Sequence, residues 1–129
     1  PKLNSHSKLN SILACIAAQK ARADEALMLD VHWFVNITNA CNFFIVREGA
    51  VWTITGDYCV NGITRQKVID LCRAHDIPVF ERNFSLVDTY GAQTPVIEID
   101  GRLIGDSNMG PVTRRIHVLF QDLMSQVCA

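Results

Sequence analysis

The sequence lacks several features that would place it in a specialised class of protein. It has no apolar run near the roughly 18 residues that a membrane-spanning helix needs, and no low-complexity stretch, internal repeat or linker rich in Pro and Ser. Twelve basic residues against thirteen acidic ones leave a net charge of −1. Nucleic acids and anionic membranes bind clustered positive charge, so neither is expected as a partner. The chain begins without Met, and we expect it to start part-way through a longer protein.

The cysteines do not form the pattern of a disulfide framework or a zinc site. Their number is odd and none are spaced as CxxC, whereas both kinds of site need closely paired cysteines. We therefore predict no metal site, and we expect reduced thiols in the core of a cytoplasmic protein. The cysteines are Cys15, Cys41, Cys59, Cys72 and Cys128.

Apolar residues recur at helical spacing in three segments. They predict helices over residues 8–22, over residues 64–75 with Thr64 as the cap, and from Pro111 to near the C-terminus. The expected inner faces are Leu9, Ile12, Leu13, Ile16 and Ala17 in the first helix, Val68, Leu71 and Cys72 in the second, and Ile116, Leu119, Phe120, Leu123 and Val127 in the third.

Short apolar segments between these helices predict strands. They cover residues 25–30, 41–46, 51–54, 78–84, 95–99 and 102–104. Glu48-Gly49 and Asp100-Gly101 each separate two such segments, which is typical of tight β-hairpins, and Ser85 is expected to open a short helical turn that ends near Gly91. With 49% hydrophobic and 19% charged residues, residues 1–129 are predicted to form one α/β domain, a mixed sheet with flanking helices.

Four stretches, in this order along the chain, resemble the class IV aminotransferases, which include branched-chain and D-amino-acid aminotransferases and aminodeoxychorismate lyase. They are residues 23–30 (ADEALMLD), 38–44 (TNACNFF), 61–65 (NGITR) and 110–113 (GPVT). The resemblance implies the C-terminal, cofactor-binding domain of the fold type IV enzymes that use pyridoxal 5'-phosphate. Its implied activity is amino-group transfer between an amino acid and a 2-oxo acid, and its implied assembly is a homodimer.

Gly62, Ile63 and Thr64 have the chemistry of an anion-binding turn. A glycine allows close approach of the backbone, and two amides and a hydroxyl then lie at the N-terminus of a helix, where the free N–H groups and the helix dipole favour negative charge. A plain helix cap would look the same from these residues alone. The resemblance implies that this turn binds the cofactor phosphate.

The sequence departs from the family at the partner of the pyridine nitrogen. The resemblance places a glutamate there, and counting back from Asn42 puts Ile37 at that position. A carboxylate keeps the ring nitrogen protonated, so that the ring can accept electrons from the substrate, and isoleucine cannot. Asn36 or Thr38 could take over this role if the register is shifted slightly.

The lysine that carries the cofactor is also displaced. An alignment without gaps places Asn4 at this position, with Lys2 and Lys8 on either side. Lys8 begins the first predicted helix, and a small gap would bring it into place. We therefore take Lys8 as the candidate catalytic residue, although a solvated lysine at a helix end is an equally good interpretation.

Two further departures concern missing segments and one turn. The family continues after its helical turn with a strand and a second phosphate-binding turn, whereas Gly91 here runs into Ala92 and Gln93 with roughly ten residues fewer, about one strand and its turn. The N-terminal domain of the family does not match any part of this sequence. Trp33 occupies a turn position that is usually glycine and would be strained if the turn needs a positive φ.

Three functions follow from these observations. The family function is amino transfer with pyridoxal phosphate. The chain alone is expected to be an incomplete, inactive copy that at most binds phosphate weakly or associates with another chain. An enzyme similar to aminodeoxychorismate lyase would have the same site. The sequence does not identify the amino acid substrate.

Overall fold

The computed structural model describes residues 8–57, 62–92, 96, 98–103 and 108–127. The predictions made for Lys2, Asn4, Cys59, Asn61 and Cys128, and part of the predicted strands 95–99 and 102–104, lie outside these residues. The elements are α1 (Leu9–Ala21), β1 (Leu27–Leu29), β2 (Val35–Thr38), β3 (Phe44–Arg47), β4 (Ala50–Thr53), α2 (Ile63–Ala74), β5 (Val79–Glu81), α3 (Leu86–Tyr90), β6 (Glu98–Ile99), β7 (Arg102–Leu103) and α4 (Pro111–Val127). The predicted mixed α/β class is confirmed.

The sheet formed by β3, β4 and β5 positions the start of α2. β3 and β4 are antiparallel, and β4 and β5 are parallel. Glu48 and Gly49 connect the first pair with φ angles of 52° and 77°, as the predicted hairpin turn requires. Parallel strands need a crossover connection, and α2 supplies it. The first turn of α2 therefore lies at the edge of the sheet where β4 and β5 both end.

β2 is a strand that the sequence did not predict. It pairs antiparallel with β1, and Leu27 lies opposite Thr38. The segment VNIT contains both apolar and polar residues, yet three of its four positions are buried. The strand was missed because Asn36 and Thr38 interrupt the apolar run by which buried strands are recognised in a sequence.

Two apolar clusters pack on opposite faces of the sheet, because successive side chains of a strand point to opposite sides. Ile45 belongs to the first cluster and Val46 to the second. The first contains Val35, Phe43, Ile45, Ile54, Phe84 and Ala92. The second contains Val46, Val51, Cys72 and Ile77, with Val68, Val112, Ile116 and Leu119 packed against it. The second cluster thus joins α2 and α4 to the sheet. The predicted inner face of α4 is confirmed at Ile116 and Leu119, which pack against this cluster, and is wrong at Val127, which is exposed near the end of the helix.

α1 forms where the sequence predicts it, but its apolar stripe is not an inner face. Leu9, Ile12, Leu13, Ile16 and Ala17 are exposed, and Ala18 is the buried residue of this helix. Helical periodicity shows which residues share a face, but it does not show that another element covers that face. In the described part of the chain, this stripe faces solvent.

The cap of α2 lies two residues earlier than predicted, and the buried face of the helix also differs from the prediction. Its N-cap is Gly62, not Thr64, and its fully buried positions are Arg65, Ile69 and Cys72. These residues follow the i, i+4, i+7 spacing of one helical face, whereas Val68 and Leu71 lie at its margins and are only half-buried. The prediction of buried thiols is right for Cys72 and wrong for Cys41, which is exposed on a loop.

The smaller elements follow the predicted turn chemistry. Ser85 caps α3, and its hydroxyl accepts from the Asp88 N–H while the Asp88 carboxylate accepts from the Ser85 N–H. These bonds to Ser85, together with nearby Arg47, lower the pKa of Asp88.

Trp33 has a φ of 66°, so the backbone strain expected at this turn is present. No helix in the described residues is long and apolar enough to cross a membrane.

Candidate functional site

The loop between β2 and β3 is held in shape by Thr38. The Thr38 hydroxyl donates to the carbonyl of Cys41 at 3.2 Å and accepts from the amides of Ala40 and Cys41 at 3.3 Å and 2.8 Å. Asn39 fastens the loop to the segment before β1, because its side-chain oxygen accepts from the Ala26 amide at 2.8 Å. These bonds fix the course of the chain that leads to Asn42.

Asn42 lies directly against Gly62. A Cβ atom on Gly62 would be 2.6 Å from the Asn42 Oδ1 atom, which is closer than a Cβ can approach. Gly62 has an extended backbone, with φ −66° and ψ 145°, so the glycine here provides space for the Asn42 side chain and not a left-handed conformation. This contact brings the start of α2 against the loop after β2.

The first turn of α2 contains backbone donors that have no acceptor within the helix. The Gln66 N–H bonded to the Gly62 carbonyl at 3.1 Å is the first to close a turn. Ile63 is 82% exposed, and Thr64 is also exposed. There is no acidic side chain in this turn. The geometry and the electrostatics of this turn therefore suit an anion.

A cavity of about 460 Å³ lies beside this turn, between β3 and the two helices α2 and α4. Most of its surface is apolar. Its lining residues are Glu25, Thr38, Cys41, Asn42, Phe43, Phe44, Val46, Val51, Thr64, Val68, Val96, Thr113, Ile116, His117 and Phe120. An apolar pocket with a few polar groups is typical of a small-molecule site.

Thr113 contributes an unsatisfied polar atom to the cavity wall. Its hydroxyl oxygen is buried and has no hydrogen-bond partner among the described residues. Buried polar groups are almost always hydrogen-bonded, so this hydroxyl would gain a partner if a ligand in the cavity shifted α4 or the Thr113 side chain enough to reach it. Thr64 lines the same cavity from α2.

The predicted site residues are only partly brought together. Thr64 lines the cavity, while Gly62 and Ile63 precede it in the same turn. Lys8 is the N-cap of α1, with a left-handed φ of 32°, and it is exposed and not among the residues that line the cavity. Ile37 packs against the first apolar cluster, and its backbone bridges to Asn42.

Residues 1–96 match the family model "Amino-transferase class IV". This match covers most of the chain and includes the loop after β2 and the first turn of α2. The chain belongs to the class IV aminotransferases.

Sequence similarity to individual aminotransferases supports this assignment. The chain is 40% identical to the branched-chain-amino-acid aminotransferase-like protein 2 of Arabidopsis thaliana, over 95% of this chain and 24% of that protein. It is 33% identical to a D-alanine aminotransferase of Listeria monocytogenes, over 93% and 46% respectively. It thus spans less than half of each of these two relatives.

The fold of this chain is similar to that of solved aminotransferase structures, one of which contains a form of the cofactor. The branched-chain amino acid aminotransferase from Escherichia coli superposes with a TM-score of 0.85 at 30% identity, over 90% of this chain and 43% of that one. Another solved branched-chain amino acid aminotransferase, similar to this chain with a TM-score of 0.82, contains pyridoxamine 5'-phosphate. The class IV aminotransferases depend on pyridoxal 5'-phosphate.

The two ends of this cofactor fit the chain differently. The first turn of α2 offers backbone amides and the Thr64 hydroxyl to a phosphate, and Thr113 offers a buried hydroxyl in the adjoining cavity. The position expected to pair with the ring nitrogen holds Ile37, which is apolar and packed on the core. The Thr38 hydroxyl is already engaged within its own loop. The phosphate end therefore fits. At the ring-nitrogen end Ile37 and Thr38 do not fit, and Asn36, the other candidate, is a buried amide without the negative charge of a carboxylate.

Three residues of this region were not assigned a role from the sequence. Asn42 and Thr113 lie within stretches that resemble the family, but nothing in their spacing predicts a contact with Gly62 or an unsatisfied hydroxyl. Arg65 carried a readable signal, because it shares helical spacing with Ile69 and Cys72 and so belongs to the buried face of α2. A buried arginine needs a partner, and this could have been inferred from the sequence.

The contact between Gly62 and Asn42 predicts a specific sensitivity. Gly62→Ala should destabilise the protein by about 1–3 kcal/mol, since the new methyl group must displace Asn42. Gly91→Ala is the matched control: its Cβ would meet no atom within 4 Å, and its effect should be neutral or a gain of about 0.4–1 kcal/mol. Urea unfolding of both variants measures the difference, and equal free energies of unfolding would contradict the contact.

Proposed function

We propose that this chain holds the phosphate of pyridoxal 5'-phosphate in the whole protein and is not a working aminotransferase by itself. The observation that carries the proposal is the first turn of α2, whose first amides have no acceptor within the helix and which lies beside a cavity lined by Thr64 and Thr113. The whole protein would transfer an amino group between an amino acid and a 2-oxo acid, as the names of its relatives suggest.

The residues have separate roles in this proposal. The amides of Ile63 and Thr64 and the Thr64 hydroxyl bind the phosphate, and Gly62 allows the close approach to Asn42 that positions them. The apolar wall of the cavity packs against the body of the cofactor. When bound, pyridoxal phosphate supplies an electron sink, and Ile37 leaves its ring nitrogen without a carboxylate partner.

The second candidate function is a non-catalytic remnant that associates with a longer chain. Ile37 is the observation that favours it, because a protonated ring nitrogen facing isoleucine would be an unpaired buried charge. The strand and second phosphate-binding turn that we expect to be missing after Gly91 also favour a non-catalytic remnant. An enzyme similar to aminodeoxychorismate lyase would use the same turn, and we rank it last because the carboxylate missing at Ile37 serves both chemistries.

We further propose that the protein acts in the cytoplasm as a homodimer. Cys15, Cys41 and Cys72 are free thiols, which suits a reducing compartment. The exposed apolar stripe of α1 is a surface that a second subunit or the rest of the protein would cover.

Lys8 remains our candidate for the residue that carries the cofactor. Treatment with pyridoxal phosphate and borohydride, followed by peptide mass spectrometry, should label Lys8 more than Lys20 or Lys67. All three lysines are exposed, so exposure alone predicts equal labelling, and the other two serve as internal controls. Excess inorganic phosphate should reduce labelling of Lys8 only. Uniform labelling that is insensitive to phosphate would contradict this role.

We predict that the chain has no measurable aminotransferase activity and that Ile37→Glu does not restore it. Parts of a site that act as a unit lose activity together, and correct positioning alone contributes about 7–11 kcal/mol to catalysis. Amino transfer from leucine, and separately from D-alanine, to 2-oxoglutarate should be measured for the chain, for Ile37→Glu and for Ile37→Gln, which has the shape of glutamate without its charge. Clear turnover by the unmodified chain would overturn the proposal that it is incomplete.

A further inference from the structure

Arg65 is the most deeply buried charged side chain in the described residues. It is 2% exposed and follows Thr64 directly in the first turn of α2. Its Nη2 atom donates to the carbonyl of Ile54 at 2.6 Å and to Glu81 Oε1 at 2.9 Å. Ile54 follows β4 and Glu81 ends β5, so one guanidinium joins the start of α2 to the ends of two parallel strands.

We infer that Arg65 is a positioning residue for phosphate binding, and this inference rests on the proposed function. The arginine does not need to touch the ligand, because its charge is paired with Glu81. The Arg65 guanidinium is buried, whereas the Glu81 side chain is 41% exposed. The further hydrogen bond to the Ile54 carbonyl holds the buried group in place, and removal of Arg65 disfavours this geometry. Arg65 thus fixes the Ile63 and Thr64 amides relative to the sheet.

A general role in stability is the competing explanation, and α2 supplies a matched control for it. Arg73 lies on the same helix and its Nη2 atom is 3.4 Å from Glu81 Oε2, but its side chain is 57% exposed. Both arginines therefore contact the same carboxylate. Arg65 differs from Arg73 in its bond to the Ile54 carbonyl and in its place in the first turn.

The test compares Arg65→Met with Arg73→Met in the full chain. Inorganic phosphate and pyridoxal phosphate are the probes, and their dissociation constants are measured by calorimetry. Arg65→Met should weaken phosphate binding by about tenfold, which is the effect of losing one hydrogen bond from a displaced Ile63 or Thr64 amide to the charged phosphate. Arg73→Met should leave it unchanged, and Arg65→Lys should restore part of the affinity because its ammonium can still donate to Glu81.

Amide exchange separates positioning from stability. The Gln66 N–H closes the first turn of α2 on the Gly62 carbonyl, and the His75 N–H bonds to the Leu71 carbonyl in the last turn. In ligand-free Arg65→Met, the exchange of Gln66 should accelerate while that of His75 stays unchanged. Equal acceleration at both amides, or unchanged phosphate affinity, would overturn the inference.

Two further outcomes are decisive. If Arg65→Met fails to fold, Glu81→Gln tests the same ion pair at a half-exposed carboxylate, and it should weaken phosphate binding in the same direction; unchanged affinity would overturn the inference. If the unmodified chain does not bind phosphate, the proposed function fails. The link from Arg65 to ligand binding then fails with it, and Gln66 exchange decides whether Arg65 still orders the turn.

Discussion

The close approach of Gly62 to Asn42 is the constraint on which the candidate site depends. It allows the chain to enter α2 against the loop that follows β2, and a side chain at position 62 would have to displace the Asn42 side-chain amide. Thr38 keeps that loop in shape from one side. Arg65 ties α2 to the ends of β4 and β5 from the other. A set of backbone amides is thereby held at a sheet edge, the place where parallel strands and their crossover helices commonly bind phosphorylated ligands.

The proposed function separates binding from chemistry within one cofactor site. The turn at the start of α2 has a glycine, free amides and neighbouring hydroxyls, and these groups suit a phosphate whatever the rest of the site contains. The position expected to pair with the ring nitrogen holds Ile37, whose side chain is packed on the core. A substitution of this kind weakens electron withdrawal by the cofactor and leaves the fold intact, because isoleucine packs well against an apolar cluster. Family membership and the absence of activity that we predict are therefore compatible.

Local chemistry made much of the fold predictable. The predictions of the two hairpins were correct because Glu48-Gly49 and Asp100-Gly101 adopt the positive φ angles that such turns need. The prediction of α3 was correct because Ser85 and Asp88 cap each other. The face of α1 was not predictable, since apolar periodicity does not reveal whether another element covers it. The start of α2 was misplaced because Thr64 is a good cap by residue type, whereas the contact of Gly62 with Asn42 is long-range. The phosphate turn was proposed from the resemblance, and Thr113 could not be found before the cavity was known.

The most direct test of cofactor binding by α2 is hydrogen exchange at the Ile63 and Thr64 amides, with and without saturating pyridoxal 5'-phosphate. If α2 binds the phosphate, the ligand should slow exchange at these two amides, because their N–H groups have no acceptor within the helix. The amides of Leu86 and Val87, in the first turn of α3 and away from the cavity, provide the comparison, and their exchange should not change with the ligand. Exchange at Ile63 and Thr64 that is unchanged at saturating ligand would contradict the central claim that this turn binds the cofactor.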